Sequence, residues 1–454
     1  MFDNFPIILG RSTDTDKRTE ETVNNKFLFG AAALLFAAGS VSAAEMDFAN
    51  GGFNMKKAVS NSGIAVPAAA EATVETTRAG QAEWTIMVFV NGKNNLEKFA
   101  LRDVNEMEMI GSTDKVNIVV ELGRMAGFDT SDGDWKGVRR YLVKKDNDTS
   151  KVTSPIVQDL GMKDMGDYKS VIDFGKWAKA KYPAKRYMLI FWNHGAGWIK
   201  ANGIYGSKGI SYDDESNNHI NTPQMAQILK AIGGVTVVGS DACLMQMAEV
   251  DYELKDYVPF IVGSEETEPG DGYTYDLFLG PLVKNPNVEG ATVARLAVDG
   301  YSNHYDAQSG GYTQSFVYSN ALPQFLNLVN DFAAAVQQAN DVEAAKYARD
   351  NAIKFAYAEN KDLYDFTKLL VEKSKNSNVQ TKGKALMNFI TRNLVGHNRT
   401  KDEPASWWSA ANELTRAKGI AVYIPSKQVP STYMELQWAQ KSNWPKFVNW
   451  LASK

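Results

Sequence analysis

The chain has 454 residues, of which 44% are hydrophobic and 22% are charged, a composition typical of a folded globular protein. Its formal net charge of −4 gives no basic surplus, which argues against a nucleic acid as partner. The length exceeds the roughly 250–300 residues at which a single core stops growing. We therefore expect one large domain with added segments, or two domains.

The N-terminal region has the features of a secretory leader. Lys26 precedes an apolar run over residues 27–38, and residues 41–43 form a small-x-small cleavage site before Ala44. The run is shorter than the roughly 20 residues that cross a bilayer, so it predicts a signal peptide rather than a membrane span. A leader starting at Val23 has the usual length, which predicts that residues 1–22 are an over-extended reading frame. A short buried core helix is the alternative.

Residues 44–82 are rich in Ala, Gly, Ser and Asn and show little periodicity, which predicts a linker or pro-segment. Beyond them, apolar runs at residues 84–90 and 116–122 predict buried strands, separated by an amphipathic helix over residues 95–110. Further predictions are hairpin additions at residues 135–144 and 152–158, and a helix over residues 167–181.

The next predicted strand, residues 187–192, leads into Asn193, His194 and Gly195. Glycine after the histidine allows the backbone to approach a ligand closely. A polar loop over residues 200–221 follows, and then a helix over residues 222–232 with proline at its first position.

Cys243, the only cysteine, follows the strand predicted at residues 235–240 and precedes a helix predicted at residues 244–254. Because the carboxyl ends of parallel strands meet at one edge of a sheet, we expect this thiol to lie near the imidazole of His194. A helix N-terminus at Cys243 would also stabilise its thiolate. A buried structural cysteine and a hydrogen-bonded structural histidine are the alternatives. An unpaired thiol in an exported protein favours a functional role.

A fifth short strand is predicted at residues 260–263, and the chain beyond Asp271 is largely helical, including residues 288–305, 322–340 and 342–373. One late strand is predicted at residues 419–424. The alternation of strands and helices predicts an α/β fold in which a mostly parallel sheet is covered on both faces.

Four stretches together resemble the clostripain family of cysteine peptidases, within the caspase, gingipain and legumain group. The stretches are residues 84–96, Asn193 to Gly195, Asp241 to Met245, and residues 265–273. The histidine precedes the cysteine by the roughly 50 residues seen in caspases. The resemblance runs from about Trp84 to Pro425. It implies a caspase-like α/β/α sandwich over residues 83–454, in which the late strand returns to the sheet and the helical C-terminal part is integral.

The resemblance implies amide hydrolysis through a thioacyl-enzyme, with Cys243 as nucleophile and His194 as general base and acid. The backbone N–H groups of Cys243 and Gly195 would hold the oxyanion. Asp241 and Asp271 match the pocket aspartates of clostripain-like enzymes, which implies cleavage after arginine or lysine. A helix N-cap is the alternative for Asp241, and a turn-forming aspartate is the alternative for Asp271.

Relatives cut themselves between the histidine and the cysteine, and Lys208, before Gly209, is the candidate site, with Lys200 second. A solvated loop lysine is an equal alternative. Some relatives depend on calcium, for which residues 213–215 and 265–266 offer carboxylates without the spacing of a calcium loop. We therefore expect Cys243 and His194 to act as a pair without a metal or other cofactor. Dependence on calcium is the alternative.

The sequence thus predicts an exported endopeptidase, periplasmic or extracellular, that acts on proteins or peptides containing arginine or lysine. We expect a monomer, or two associated chains after cleavage. Two other functions stay open: a non-catalytic exported binding protein on a lapsed peptidase fold, and a related thiol transpeptidase.

Overall fold

A computed structural model describes residues 81–198, 209–405 and 411–454. The predicted leader and most of the predicted linker lie outside these residues. In the described ranges the strands are β1 (Ala82–Gly92), β2 (Val116–Arg124), β3 (Gly137–Leu142), β4 (Ile156–Gly161), β5 (Ala184–Trp192), β6 (Ile210–Asp213), β7 (Asn218–Ile220), β8 (Val237–Asp241), β9 (Phe260–Gly263), β10 (Tyr312–Tyr318), β11 (Asn360–Asp362), β12 (Val395–Lys401) and β13 (Ala421–Tyr423).

The α-helices of the same ranges are α1 (Glu97–Ile110), α2 (Tyr168–Lys181), α3 (Thr222–Ala231), α4 (Ala248–Leu254), α5 (Tyr275–Lys284), α6 (Gly290–Asp306), α7 (Leu322–Gln338), α8 (Val342–Asn351), α9 (Leu363–Lys373), α10 (Ser377–Phe389), α11 (Gln437–Lys441) and α12 (Trp444–Ala452). None of these helices combines the length and the apolar character that a membrane crossing requires.

Nine strands of the described ranges form one sheet, in the order β12-β10-β9-β8-β5-β1-β2-β3-β4. The five central strands, β9, β8, β5, β1 and β2, are parallel. Antiparallel pairs extend the sheet at both edges, β3 and β4 on one side and β10 and β12 on the other. The parallel centre and the hairpin additions at β3 and β4 confirm the sequence predictions.

Helices cover both faces of the sheet. Alternate side chains of β1 point to opposite faces: Met87 and Phe89 pack in a core with α2, α3, α4 and the C-terminal helices. Ile86 and Val88 pack in a second core with α1, α5 and α6. Every residue of β1 is buried, as expected for a parallel strand covered on both sides. The predicted α/β/α sandwich is therefore confirmed.

Two details of the C-terminal half differ from prediction. The late strand, β13, does not return to the large sheet but pairs with β11 in a separate two-stranded sheet, because β10 and β12 occupy the edge next to β9. The helix predicted over residues 342–373 is interrupted by β11, and Asp362 starts α9 by accepting a hydrogen bond from the Asp365 N–H at 2.6 Å.

Candidate active site

The predicted nucleophile and base follow two neighbouring strands. β5 and β8 are parallel and adjacent, and Trp192 at the end of β5 pairs in register with Asp241 at the end of β8. His194 lies two residues beyond the first, and Cys243 two residues beyond the second. Because β5 and β8 stay paired up to their last residues, the loops that follow them leave the sheet side by side.

The backbones of these loops are in direct contact at Gly195. A Cβ atom on Gly195 would lie 2.3 Å from the carbonyl oxygen of Cys243 and 3.2 Å from its peptide nitrogen. Only glycine fits at such a distance. The structure therefore brings together the two residues whose N–H groups were predicted to hold an oxyanion.

The thiol of Cys243 is half-buried beneath the loop that follows β9. The Glu268 N–H donates a hydrogen bond to Sγ at 3.3 Å, and the Glu268 carbonyl oxygen lies 3.8 Å from Sγ. Burial raises the pKa of the Cys243 thiol to about 12. At neutral pH the thiol in this conformation is therefore protonated.

The imidazole of His194 is oriented by a residue that the sequence analysis did not assign to the site. Its Nε2 lies 2.7 Å from the Oδ1 of Asn95, which precedes α1. An amide oxygen only accepts, so Nε2 carries the proton and Nδ1 keeps the basic lone pair. Burial lowers the pKa of His194 to about 4, so the ring is neutral at pH 7. A polar residue after the end of a central parallel strand was the signal that could have identified Asn95.

The helix predicted to begin directly after Cys243 begins later. α4 starts at Ala248 with Met247 at its N-cap, and Leu244 has a φ of +63°. This left-handed conformation, which leucine rarely adopts, turns the chain away from a helical path and costs roughly 1–3 kcal/mol. The prediction that a helix N-terminus stabilises the thiolate is therefore wrong, and so is the alternative that Asp241 caps that helix.

Asp241 is buried beneath the nucleophile, with 4% of its surface exposed. The Tyr273 N–H donates to its Oδ1 at 3.0 Å, and the Tyr275 hydroxyl donates to its Oδ2 at 2.8 Å. Burial raises the pKa of Asp241 to about 7, although these hydrogen bonds oppose the shift.

Asp271 lies at the surface above Asp241, in the turn closed by a 2.9 Å hydrogen bond from the Gly272 N–H to the Pro269 carbonyl. A Cβ on Gly272 would lie 2.5 Å from the Oδ1 of Asp241, so the turn that carries Asp271 packs directly against Asp241. The Asp271 carboxylate is 37% exposed and pairs with Arg102 of α1 at 2.6 Å.

A third carboxyl group, Glu268, adjoins Asp241 and was not identified from the sequence. Its Oε1 accepts a hydrogen bond from the Gln314 Nε2 at 2.9 Å. Burial and the neighbouring Asp241 hold the pKa of Glu268 well above its usual range. Asp103 of α1 is also buried nearby and accepts a hydrogen bond from the Trp192 Nε1 at 2.5 Å.

Asn193 joins the histidine loop to the segment that includes β6. Its Nδ2 donates to the Asn91 carbonyl at 2.5 Å, and its Oδ1 accepts from the Tyr212 N–H at 2.9 Å. The Ala196 N–H donates to the Gly209 carbonyl at 2.9 Å. The chain from Gly209 onward is thus tied to the loop that carries His194. Lys208 and Lys200 lie outside the described residues.

Four of the five carboxylates considered for calcium, all except Asp214, are engaged by protein partners. Asp213 and Glu215 pair with Lys93 at 3.2 and 2.5 Å. Glu265 accepts from the Gly419 N–H and Glu266 from the Ala356 N–H, both at 3.0 Å. Within residues 81–198, 209–405 and 411–454, no group of three or more His, Cys, Asp and Glu side chains is arranged to hold a metal ion.

Comparison with known proteins agrees with this geometry. A sequence model of the clostripain family matches residues 88–450. Clostripain of Hathewaya histolytica is 25% identical over 256 residues, which are 51% of this chain and 46% of that protein. The chain thus spans about half the length of this curated relative.

Two solved structures share the fold. One is a secreted C11 cysteine protease of Bacteroides thetaiotaomicron in complex with an irreversible peptide inhibitor, with a TM-score of 0.61, 20% identity, and coverage of 80% of this chain and 100% of that one. The other is an inactive zymogen C11 protease of Parabacteroides distasonis, with a TM-score of 0.61, 17% identity, and coverage of 80% and 98%. Because the family model covers most of its length, the chain belongs to the clostripain family of C11 cysteine proteases.

Proposed function

We propose that this chain is an exported cysteine endopeptidase that cleaves after arginine or lysine. The observation that carries the proposal is the in-register pairing of Trp192 with Asp241, from which the loops of His194 and Cys243 leave the sheet together. The family membership supports the same reaction class. This reaction class implies protein or peptide substrates.

In the proposed mechanism the Sγ of Cys243 attacks the carbonyl carbon of the scissile amide while its proton passes to the Nδ1 of His194. The N–H groups of Gly195 and Cys243 stabilise the oxyanion that forms. Collapse of this intermediate breaks the C–N bond, and His194 returns the proton to the leaving amine. Water then hydrolyses the thioester with His194 as general base.

The packing of the Asp271 turn against Asp241 supports selection of a basic side chain. A guanidinium or ammonium group gains charge-assisted hydrogen bonds from such carboxylates, each contributing roughly 1.5–3 kcal/mol. An acidic side chain would be repelled. Arg102 already pairs with Asp271 at 2.6 Å, which supports the idea that this site accepts a guanidinium.

We also propose that the intact chain is a zymogen that cuts itself after Lys208. Protonated Cys243 and neutral His194 fit a resting form, and one structural relative is described as an inactive zymogen. The hydrogen bonds of Asn193 and Ala196 to the segment that begins at Gly209 would keep the two pieces associated after cleavage. Export rests on the leader-like residues 23–43 and on the secreted relative.

The test is hydrolysis of three fluorogenic peptides that end in Arg, Lys or Asp before the reporter, with chelator in half of the samples. We expect turnover of the Arg and Lys peptides only, its loss in Cys243→Ala, and no effect of the chelator. Mass spectrometry of the same samples follows cleavage after Lys208, which Cys243→Ala should abolish.

The competing function is that of a binding protein on a lapsed peptidase fold. Such a protein would also contain a protonated Cys243 thiol and a neutral His194 imidazole. Folded protein that is cut after Lys208 equally well with Cys243→Ala, yet turns over none of the three peptides, would favour this function. Transfer of the acyl group to added amines, rather than to water, would indicate a transpeptidase.

A further inference from the structure

The loop after β9 connects the nucleophile to the buried aspartate through a single residue, Glu268. Its backbone N–H contacts the Sγ of Cys243 at 3.3 Å, and its side chain lies beside the carboxyl group of Asp241. The first side chain of a substrate starts next to the carbonyl that Sγ attacks and must reach Asp241. Glu268 therefore lies along the path that this side chain takes.

The surroundings of Glu268 contain buried polar atoms that lack partners among the described residues. They are Oε1 of Gln314, Oδ1 of Asp103, and the hydroxyls of Tyr273 and Tyr301. Gln314, Asp103, Tyr273 and Tyr301 are each no more than 1% exposed. Leaving such atoms unpaired is unfavourable, so a site of this kind is stabilised when a ligand with several hydrogen-bond donors enters.

The charge of the cluster also favours a ligand that is a cation with several hydrogen-bond donors. Glu268 and Asp241 are adjacent carboxyl groups in a buried site, and both cannot be ionised there without a cation. The titratable or charged groups that face them come from α1, α5, α6, the end of β8 and the loop after β9. They are Arg102, Asp103, Glu106, Tyr301, Tyr305, Cys243, Asp271, Tyr273 and Tyr275. The only cation among these groups, Arg102, is engaged with Asp271 and Glu106 at the surface.

We propose that Glu268 is a specificity determinant of this pocket: it shares one proton with Asp241 when the pocket is empty, and that proton passes to solvent when an arginine side chain of the substrate enters. The inference rests on the proposed function, because it concerns the same pocket. A planar guanidinium carries five N–H donors and can meet both carboxylates, whereas an ammonium is a compact point charge. Glu268 therefore favours arginine over lysine.

The test measures binding of an arginyl peptide by calorimetry to the full chain carrying Cys243→Ala, which cannot cleave it. Titrations at pH 8 in two buffers of different ionisation enthalpy give the number of protons released. We expect release of about one proton by this parent protein and nearly none by the same protein with Glu268→Gln, since the amide cannot be ionised and Asp241, with a pKa of about 7, is already largely ionised at this pH. At pH 8 the Glu268→Gln protein should bind the arginyl peptide roughly 10- to 100-fold more weakly, and lose less affinity for the lysyl peptide.

Glu266→Gln is the matched control, because this neighbouring carboxylate accepts from the Thr267 and Ala356 N–H groups at 2.7 and 3.0 Å instead of facing Asp241. It should release the same number of protons as the parent. If Glu268→Gln does not fold, Gln314→Met provides a second variant, since it removes only the donor to Glu268 and should reduce arginine selectivity to a smaller extent.

The outcomes separate the two proposals. Equal proton release and equal arginine selectivity in the parent and in Glu268→Gln would overturn the role of Glu268 alone, provided that wild-type protein hydrolyses arginyl peptides. Absence of both binding by the parent and hydrolysis by the wild type would overturn the proposed function, and this inference with it.

Discussion

The Nε2 of His194 lies 2.7 Å from the Oδ1 of Asn95, which fixes both the orientation and the tautomer of the imidazole. Asn95 follows β1 and His194 follows β5, and these strands are neighbours in the parallel centre of the sheet. Cys243 follows β8 on the other side of β5. Three consecutive strands of the sheet are thus followed by the amide, the imidazole and the thiol to which we assign the orienting, basic and nucleophilic roles.

Replacement of Asn95 by alanine should lower kcat/KM for an arginyl peptide by about 10- to 100-fold, because the ring loses the acceptor that holds Nε2–H. Asn95→Asp should restore part of the activity and shift the acid limb of the pH profile upward, since a carboxylate raises the pKa of the neighbouring imidazole. Asn94→Ala, which removes a 2.7 Å hydrogen bond to the Tyr212 carbonyl, should lower the unfolding temperature and leave that limb in place. Identical pH profiles for all three variants would contradict the role of Asn95.

Gly195→Ala should reduce kcat by about 100-fold or more while the protein stays folded. The new Cβ would lie 2.3 Å from the Cys243 carbonyl oxygen, so the loops must separate and one oxyanion donor is displaced. Gly280→Ala in α5 is the control, because its Cβ would meet only the Ile110 side chain at 3.5 Å. Steady-state kinetics with thermal unfolding of both variants make the comparison. Unchanged kcat in Gly195→Ala would exclude Gly195 from the oxyanion site.

Arg102→Ala should lower KM for arginyl peptides by up to about fivefold. The side chain of Arg102 is 47% exposed and pairs with Asp271, and a surface ion pair contributes only about 0–1 kcal/mol. Its removal leaves Asp271 available to the substrate, and the effect should shrink at high salt. Lys98→Ala removes a positive charge one turn earlier on the same helix and should leave KM unchanged. A higher KM in Arg102→Ala would instead mean that Arg102 supports the pocket.

Stability should fall as the pH rises above about 5, because of a pair of buried acids in α4. Both carboxyl oxygens of Asp251 lack a hydrogen-bond partner among the described residues, and burial holds the pKa of Asp251 well above its usual range. Burial also raises the pKa of Glu249 to about 7. When the pKa of a group is higher in the folded chain, the folded chain binds more protons than the unfolded chain. The stability that this group contributes is complete below its unfolded pKa and is lost as the pH rises through its folded pKa.

Each such group contributes a slope of about 1.4 kcal/mol per pH unit between the two pKa values. Asp251→Asn stays neutral at every pH, so its unfolding free energy should decline less steeply between pH 5 and pH 8 than that of the wild type. Asp331→Asn, at an exposed position, should retain the wild-type slope. Denaturant unfolding at several pH values measures all three, and parallel curves for wild type and Asp251→Asn would refute the prediction.

Much of the fold follows from local patterns in the chain. Apolar runs bounded by glycine and polar residues predict the parallel strands, because a strand covered on both faces must be apolar throughout. Apolar residues that recur with the period of a helix predict α1, α2 and α3. β10 and β12 were missed because polar residues interrupt their apolar runs, and β13 was misplaced because the partner of a strand depends on which sheet edge is vacant.

The sequence by itself determined that a histidine and the single cysteine each follow a central strand, which is enough to predict a common edge and a dyad. Only the tertiary structure decided which other side chains reach that edge. Arg102 and Asp271 are 169 residues apart, and Asn95 and His194 are 99 apart. Glu268 and Asp241 become neighbours because Gly272 and Leu244 turn their loops sharply. Contacts between loops carry no periodic signal, since they depend on strand register and on a few unusual backbone angles rather than on any local pattern.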